Sequence, residues 1–350
     1  MKSSIIIMTS ILVLSLYGCV GLEREGPVLT PTGSLSVVMG ASVTKATTPN
    51  QGKEDKINTA QLVVFNSAGE LYRYHPLTAG EISARSVTLP DMNAGTYAVR
   101  LVANGPDLSG VKTLSSLNAM TTLLGEYNAT ATGFLMTASG NVTVNADAEA
   151  SVTMNLNHPV ARIVVSKIVN ALPATMGALT VRSIMLTNVC GSWRLMGGKP
   201  SSITWYNKEG RKDETPRNAS HVIDGVNYAS SSSDLLWRSV NSSVAPGASY
   251  GTSQYLYAFP NDATAAPNGF LEPFNPQQTC VVVTASIGGK TYHYPMPISG
   301  GMESNLSYDV QITIQGPGSA DPNRPVSPGT LKAGISVKGW TGTKTYNENI

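Results

Sequence analysis

The segment SLSVVMGASVT, residues 34–44, alternates like a half-buried β-strand and stops at a basic residue, Lys45. Leu35, Val37, Met39, Ala41 and Val43 alternate with Ser36, Val38, Gly40, Ser42 and Thr44, a period of two that gathers one set of side chains on a buried face. The stretch that follows, Ala46 to Asn58, contains Pro, Gly, Asn and charged residues, the composition of an exposed, protease-sensitive loop. A strand built for burial thus ends in a linker suited to cleavage.

The chain has 350 residues, enough for two domains at roughly 150 residues each. Lys plus Arg number 24 against 22 Asp plus Glu, a net charge of +2 with neither a basic stripe for nucleic acid nor an acidic tail. Only 13% of residues are charged, with 33 Gly and 21 Pro, which is the makeup of a turn-rich β protein. The start, MKSSIIIMTSILVLSLYGC, places Lys2 before an apolar run from Ile5 to Leu16. That run is shorter than the about 20 residues of a spanning helix and reads as a signal peptide over residues 1–18. Its end, Leu16-Tyr17-Gly18-Cys19, resembles the lipobox of bacterial lipoproteins, which implies acylation of Cys19. Glu23 and Glu25 are compatible with an acidic surface tether. Cys190 and Cys280 remain, either as a disulfide of an exported protein or as two buried thiols.

After the linker, NTAQLVVFNSAGELYRY predicts a hairpin turning at Asn66 to Gly69, and a further strand is expected over Thr96 to Ala103. Leu114, Leu117, Met120 and Leu124 recur at helical spacing and predict one short helix. Strands resume at GNVTVNA and ASVTMNLN, and HPVARIVVSKIVN opens a second block with Pro159 at the head of a strand. The domain boundary is placed at Asn157, and residues 198–255, rich in Ser, Asn and Gly, are expected to form long loops. The fold class is mostly β: two β-sandwich-like domains in series with one or two short helices.

Catalytic signatures are missing. His75, His158, His221 and His293 stand apart, with no paired-His motif and no nearby Cys to complete a metal set, so neither metal nor cofactor is expected. There is no GxSxG, P-loop or GxGxxG, and the Gly pair in SIGGKTY reads as a hairpin turn. Acids such as Asp107, Asp147 and Asp213 fall in turns, which leaves a chance pair across loops as the one route to a paired-carboxylate site. Tyr228, Trp205 and Trp237 have the surface to stack on a sugar, although core packing is the commoner use of such rings.

The Cys19 motif, KINTAQLVVFNSAGEL, HPVARIVVSKI and the tail YDVQITIQGPGSADPNRPVSPGTLKAGISVKGW together resemble the fimbrillins, the major fimbrial subunits of type V pili. The likeness runs from Cys19 to the C-terminus. It implies transthyretin-like sandwich domains and a non-enzymatic, cell-surface structural protein whose precursor is lipid-anchored in the outer membrane. It further implies that a trypsin-like protease cuts after a basic residue, that the first strand (Leu35, Val37, Met39, Ala41, Val43) is discarded, and that a neighbour's C-terminal strand fills the groove. Identical subunits, tip and anchor proteins and host receptors are the implied partners.

Transferred to this chain, cleavage falls between Lys45 and Ala46, with Lys53 and Lys56 as alternatives; a cut at Arg24 would leave the strand in place. The propeptide is then 19–45, with domains at 46–157 and 158–350. The donor segment is Leu331 to Ile350, with Leu331, Ala333, Ile335, Val337, Tyr346 and Ile350 as its apolar residues, or else Leu331 to Trp340 is an internal strand. Two rival readings are a tip or accessory adhesin that binds a glycan or host protein, and an uncut surface lipoprotein that serves as an anchor.

Overall fold

A computed structural model describes residues 32–40, 54–129, 133–207, 221–223, 226–228, 233–262, 278–298, 301–322, 324, 326–327, 329–340 and 346–349. Cys19, Ala41, Val43, Lys45, Ala46, Lys53 and Ile350 lie outside the described residues.

In the first half, the strands are β1 (Thr32–Gly40), β2 (Ala60–Phe65), β3 (Leu71–Pro76), β4 (Ser86–Asn93) and β5 (Gly95–Ala103). They are followed by β6 (Thr121–Leu123), β7 (Asn128–Ala129), β8 (Gly133–Phe134), β9 (Met136–Val144) and β10 (Glu149–Asn155). One sheet runs β3-β2-β5-β9 and the other β10-β1-β4. Leu35, Leu62, Leu89, Val99, Leu101 and Met136 form the core between them. The opposite face of the first sheet is also covered, by Leu108, Leu117 and Leu195, which explains why AQLVVF is buried on both faces instead of alternating.

The second half comprises β11 (Ala161–Asn170), β12 (Leu179–Thr187), β13 (Val189–Cys190), β14 (Ser192–Arg194), β15 (Trp205–Tyr206), β16 (His221–Ile223) and β17 (Val226–Tyr228). It continues with β18 (Trp237–Val244), β19 (Ser249–Tyr250), β20 (Gln254–Ala258), β21 (Cys280–Ile287), β22 (Lys290–Pro297), β23 (Leu306–Ile314), β24 (Leu331–Gly339) and β25 (Tyr346–Asn349). One sheet is ordered β19-β11-β23-β24-β25, with β20 also on β11, and the other β18-β12-β21-β22. A separate apolar core fills the space between them.

Local chemistry accounts for the turns. Asn66 Oδ1 accepts from the amides of Ala68 (3.0 Å) and Glu70 (2.9 Å), closing the expected hairpin. Gly288 and Gly289, at φ +56° and +80°, make the two-residue turn between β21 and β22. The predicted helix is present as Leu114–Ala119; Met120 caps it in an extended conformation and Leu124 lies beyond it. A second helix, Ala79–Ala84, buries no residue and is specified locally by the Thr78–Glu81 capping box rather than by an apolar face. The expectation of loops over 198–255 is corrected: β15 to β20 and a helix at Ser233–Leu236 lie there. β18 is an edge strand whose Ser-rich sequence needs only one neighbour, β12, to hold it.

Cys190 and Cys280 are free and buried, with burial pushing the Cys190 thiol up to about 11. Trp205 is buried, and Trp237 packs against the cluster of Met185, Cys280 and Val282. His293 is buried on β22, its Nδ1 3.0 Å from Thr284 Oγ1, and burial lowers its pKa below the ordinary 6.5 while Asp321 opposes the shift. As pH falls through that ordinary value the unfolded chain takes up the proton first, so stability falls below it. Thermal unfolding midpoints are therefore expected to drop between neutral pH and about pH 5, and this drop should shrink in His293→Gln.

Candidate functional site

β1 is the middle strand of its sheet, although it comes first in the chain. It pairs in parallel with β10, Ser34–Gly40 against Glu149–Asn155, and antiparallel with β4, Val37 opposite Val87. Both partners are distant in sequence. Leu35, Val37 and Met39 are buried against the sheet formed by β2, β3, β5 and β9. Burying three such side chains stabilises the domain by about 5–9 kcal/mol before entropy is counted. Gly33 is required by close approach: a Cβ there would sit 2.4 Å from the Asn145 carbonyl oxygen and 2.5 Å from that of Ala148.

Beyond the linker the chain is anchored at once. Glu54 is fully buried and accepts from Arg162 Nη1 at 2.6 Å and from Tyr257 Oη at 2.5 Å. Arg162 Nε donates to Ser307 Oγ at 3.0 Å, and its guanidinium lies 5.0 Å from the centroid of the Trp340 ring. His158 stacks on the same Trp340 at 4.4 Å and pairs through Nε2 with Asp55 at 3.0 Å. Burial, and then the Glu54 carboxylate, push the Tyr257 phenol well above its ordinary pKa, so it remains a donor. Asn104 continues the stitching: its Oδ1 accepts from Asn58 N and its Nδ2 donates to the Lys56 carbonyl, both at 2.8 Å. Asn305 does the same across the junction, donating to Asn157 Oδ1 at 3.0 Å, while the Trp340 amide donates to its carbonyl at 2.9 Å.

Nothing local in the sequence marks Glu54 or Trp340 as a partner of Arg162. The available signal is a charged residue, Arg162, inside the apolar stretch PVARIVV that opens the second half. At the other end, Leu331, Ala333, Ile335 and Val337 lie on β24, which pairs with β23 from Leu331–Ile314 to Gly339–Leu306. Tyr346 begins β25, a short edge strand on β24. Among the described residues no group of His, Cys, Asp and Glu could hold a metal ion.

Residues 32–176, from β1 through the first strand of the second core, match the family described as major fimbrial subunit protein (FimA). That similarity covers the first sandwich and the opening of the second. No curated protein matches the chain by sequence. Among solved structures it is similar to a Bacteroides eggerthii protein with a proposed role in cell adhesion, at 18% identity and a TM-score of 0.62, covering 89% of this chain and 96% of that one. A fimbrilin (FimA) from Porphyromonas gingivalis matches at 16% identity and a TM-score of 0.61, covering 91% of this chain and 100% of that one. The tip fimbrial protein Mfa3 of the same organism, C-terminally truncated, matches at 14% identity and a TM-score of 0.51, over 89% of this chain and 100% of that one. At these identities the structures establish a shared fold, and the fimbrial matches are structural proteins rather than enzymes.

Removing one member of a buried ion pair leaves the other uncompensated, which costs about 3–5 kcal/mol. Glu54→Ala is accordingly expected to lower the unfolding free energy from denaturant titration by that amount, seen as a lower midpoint at unchanged slope. Glu54→Met combined with Arg162→Met should recover most of the loss, a non-additivity that a double-mutant cycle measures directly.

Proposed function

We propose that the protein is the structural subunit of a cell-surface fimbria, exported as a lipoprotein acylated at Cys19 and cut between Lys45 and Ala46. Loss of β1 opens the groove between β4 and β10, and the C-terminal tail of the next subunit fills it. The domains are 46–157 and 158–350, and the assembly works with tip and anchor proteins, a trypsin-like protease and host receptors. The observation that carries this reading is the position of β1: a central strand, bonded only to distant strands, whose covalent link to the body is the linker before Glu54.

Several features support the details. A sheet that loses its middle strand exposes two rows of backbone donors and acceptors above an apolar floor, which recruits another strand. The donor and acceptor surfaces differ, so the contact propagates head-to-tail instead of closing on itself. Glu54 is buried directly after Lys53, and the Lys56 carbonyl is held by Asn104, which disfavours cleavage at either lysine and favours Lys45. Trp340 is buried and β24 is paired along its length, which favours a donor confined to residues 341–350. Donation by Leu331, Ala333, Ile335 and Val337 would require β24 to separate from β23.

The test is the intact mass and N-terminal sequence of the protein recovered from the cell surface. A chain starting at Ala46 is expected. A chain still starting at acylated Cys19 would replace the stalk-subunit reading with that of an anchored lipoprotein. In the processed protein, deletion of residues 341–350 should abolish filament growth while leaving the subunit folded; filaments of normal length from the deleted chain would place the donor elsewhere.

A further inference from the structure

We infer that the cleft beside the domain junction, between β9, β10 and β14, is a binding site for a neutral saccharide. None of the groups that carry this inference belongs to β1 or to the tail, although β10 is also the strand on which β1 pairs. The cleft has a volume of about 460 Å³, within the usual range of small-molecule sites. β9 contributes Thr137 and Ser139, β10 contributes Thr153 and Asn155, β14 contributes Trp193, and His158 completes the wall.

The wall chemistry selects the ligand class. The residues that line the cleft carry hydroxyl, amide and apolar side chains, and besides the wholly buried His158 none is ionisable: no Lys, Arg, Asp or Glu is among them. Hydroxyls and amides both donate and accept, as the hydroxyls of a sugar do, whereas an anionic ligand would find no cation to pair with. Trp193 supplies a fixed aromatic surface: it is half-buried and stacks on Phe259 with centroids 6.2 Å apart and planes 21° from parallel. Such a surface suits the apolar face of a pyranose, and its position is held by packing before a ligand arrives.

The experiment titrates the full chain with lactose and with the methyl glycosides of galactose, glucose, mannose and N-acetylglucosamine, read by ligand-observed NMR and tryptophan fluorescence. Sialyllactose serves as the charged comparison. At least one neutral probe is expected to saturate and to perturb tryptophan emission. Thr153→Arg, at an exposed position of β10, should weaken that binding by about tenfold or more without moving the unfolding midpoint. Trp193→Phe should retain part of the affinity. The inference is overturned if no neutral probe saturates, if binding survives Thr153→Arg unchanged, or if sialyllactose alone binds.

Discussion

The Glu54–Arg162 pair is the interaction on which the remaining geometry depends. Two ions removed from water each cost several kcal/mol, a penalty offset only when every lone pair and proton finds a partner. Here Glu54 uses one oxygen for Arg162 and the other for Tyr257, while Arg162 divides its donors between Glu54 and Ser307 and sets its guanidinium carbon over the Trp340 ring. An apolar cluster of similar volume could be as stable. What the ionic arrangement adds is direction, because hydrogen bonds fix where each group sits. The start of the body after the linker and the end of the last long strand are thereby pinned at one point, beside the His158 ring that opens the second half.

That pinning gives β1 a distinct status on the strand-exchange reading. An uncut β1 competes for its groove at the high effective concentration of a tethered segment. After a cut in the linker it becomes a separate peptide, and rebinding must repay lost translational and rotational freedom, about 4 kcal/mol or more. A neighbour's tail then meets β1 on equal terms, and it brings a folded domain with it. Gly33 limits what can replace β1, since the Asn145 and Ala148 carbonyls leave no room for a side chain at that point.

The β-rich class, the hairpin at Asn66 and the turn at Gly288 were legible because each has a local cause in period-two alternation or turn chemistry. The first strand was legible too, starting at Thr32 rather than Ser34. Its central place in the sheet was not, since pairing with Val87 and Val152 is set by tertiary packing that no local pattern records. β18 escaped notice because an edge strand tolerates serine where a central one would need apolar side chains. The junction was hidden for a related reason: Glu54, Arg162 and Trp340 lie far apart in sequence, and each alone reads as an ordinary surface charge or core aromatic. The cleft around Trp193 depends on the same junction, whereas Trp205 and Trp237, the more prominent rings in the sequence, lie in apolar packing.

The last turn of the chain shows how an edge can be held without being committed. β25 covers only Gly334–Val337 of β24, whereas β23 pairs with β24 over its full length. Release of the tail therefore leaves the core strand in place and uncovers a short stretch of ladder. The uncovered edge is protected by its own sequence: Lys332 and Lys338 flank it, both exposed, and charge at a sheet edge discourages unplanned pairing. On the strand-exchange reading, a tail that pairs with only four residues at a guarded edge, next to a Trp340 fixed by buried ions, can leave while the domain that carries it stays folded.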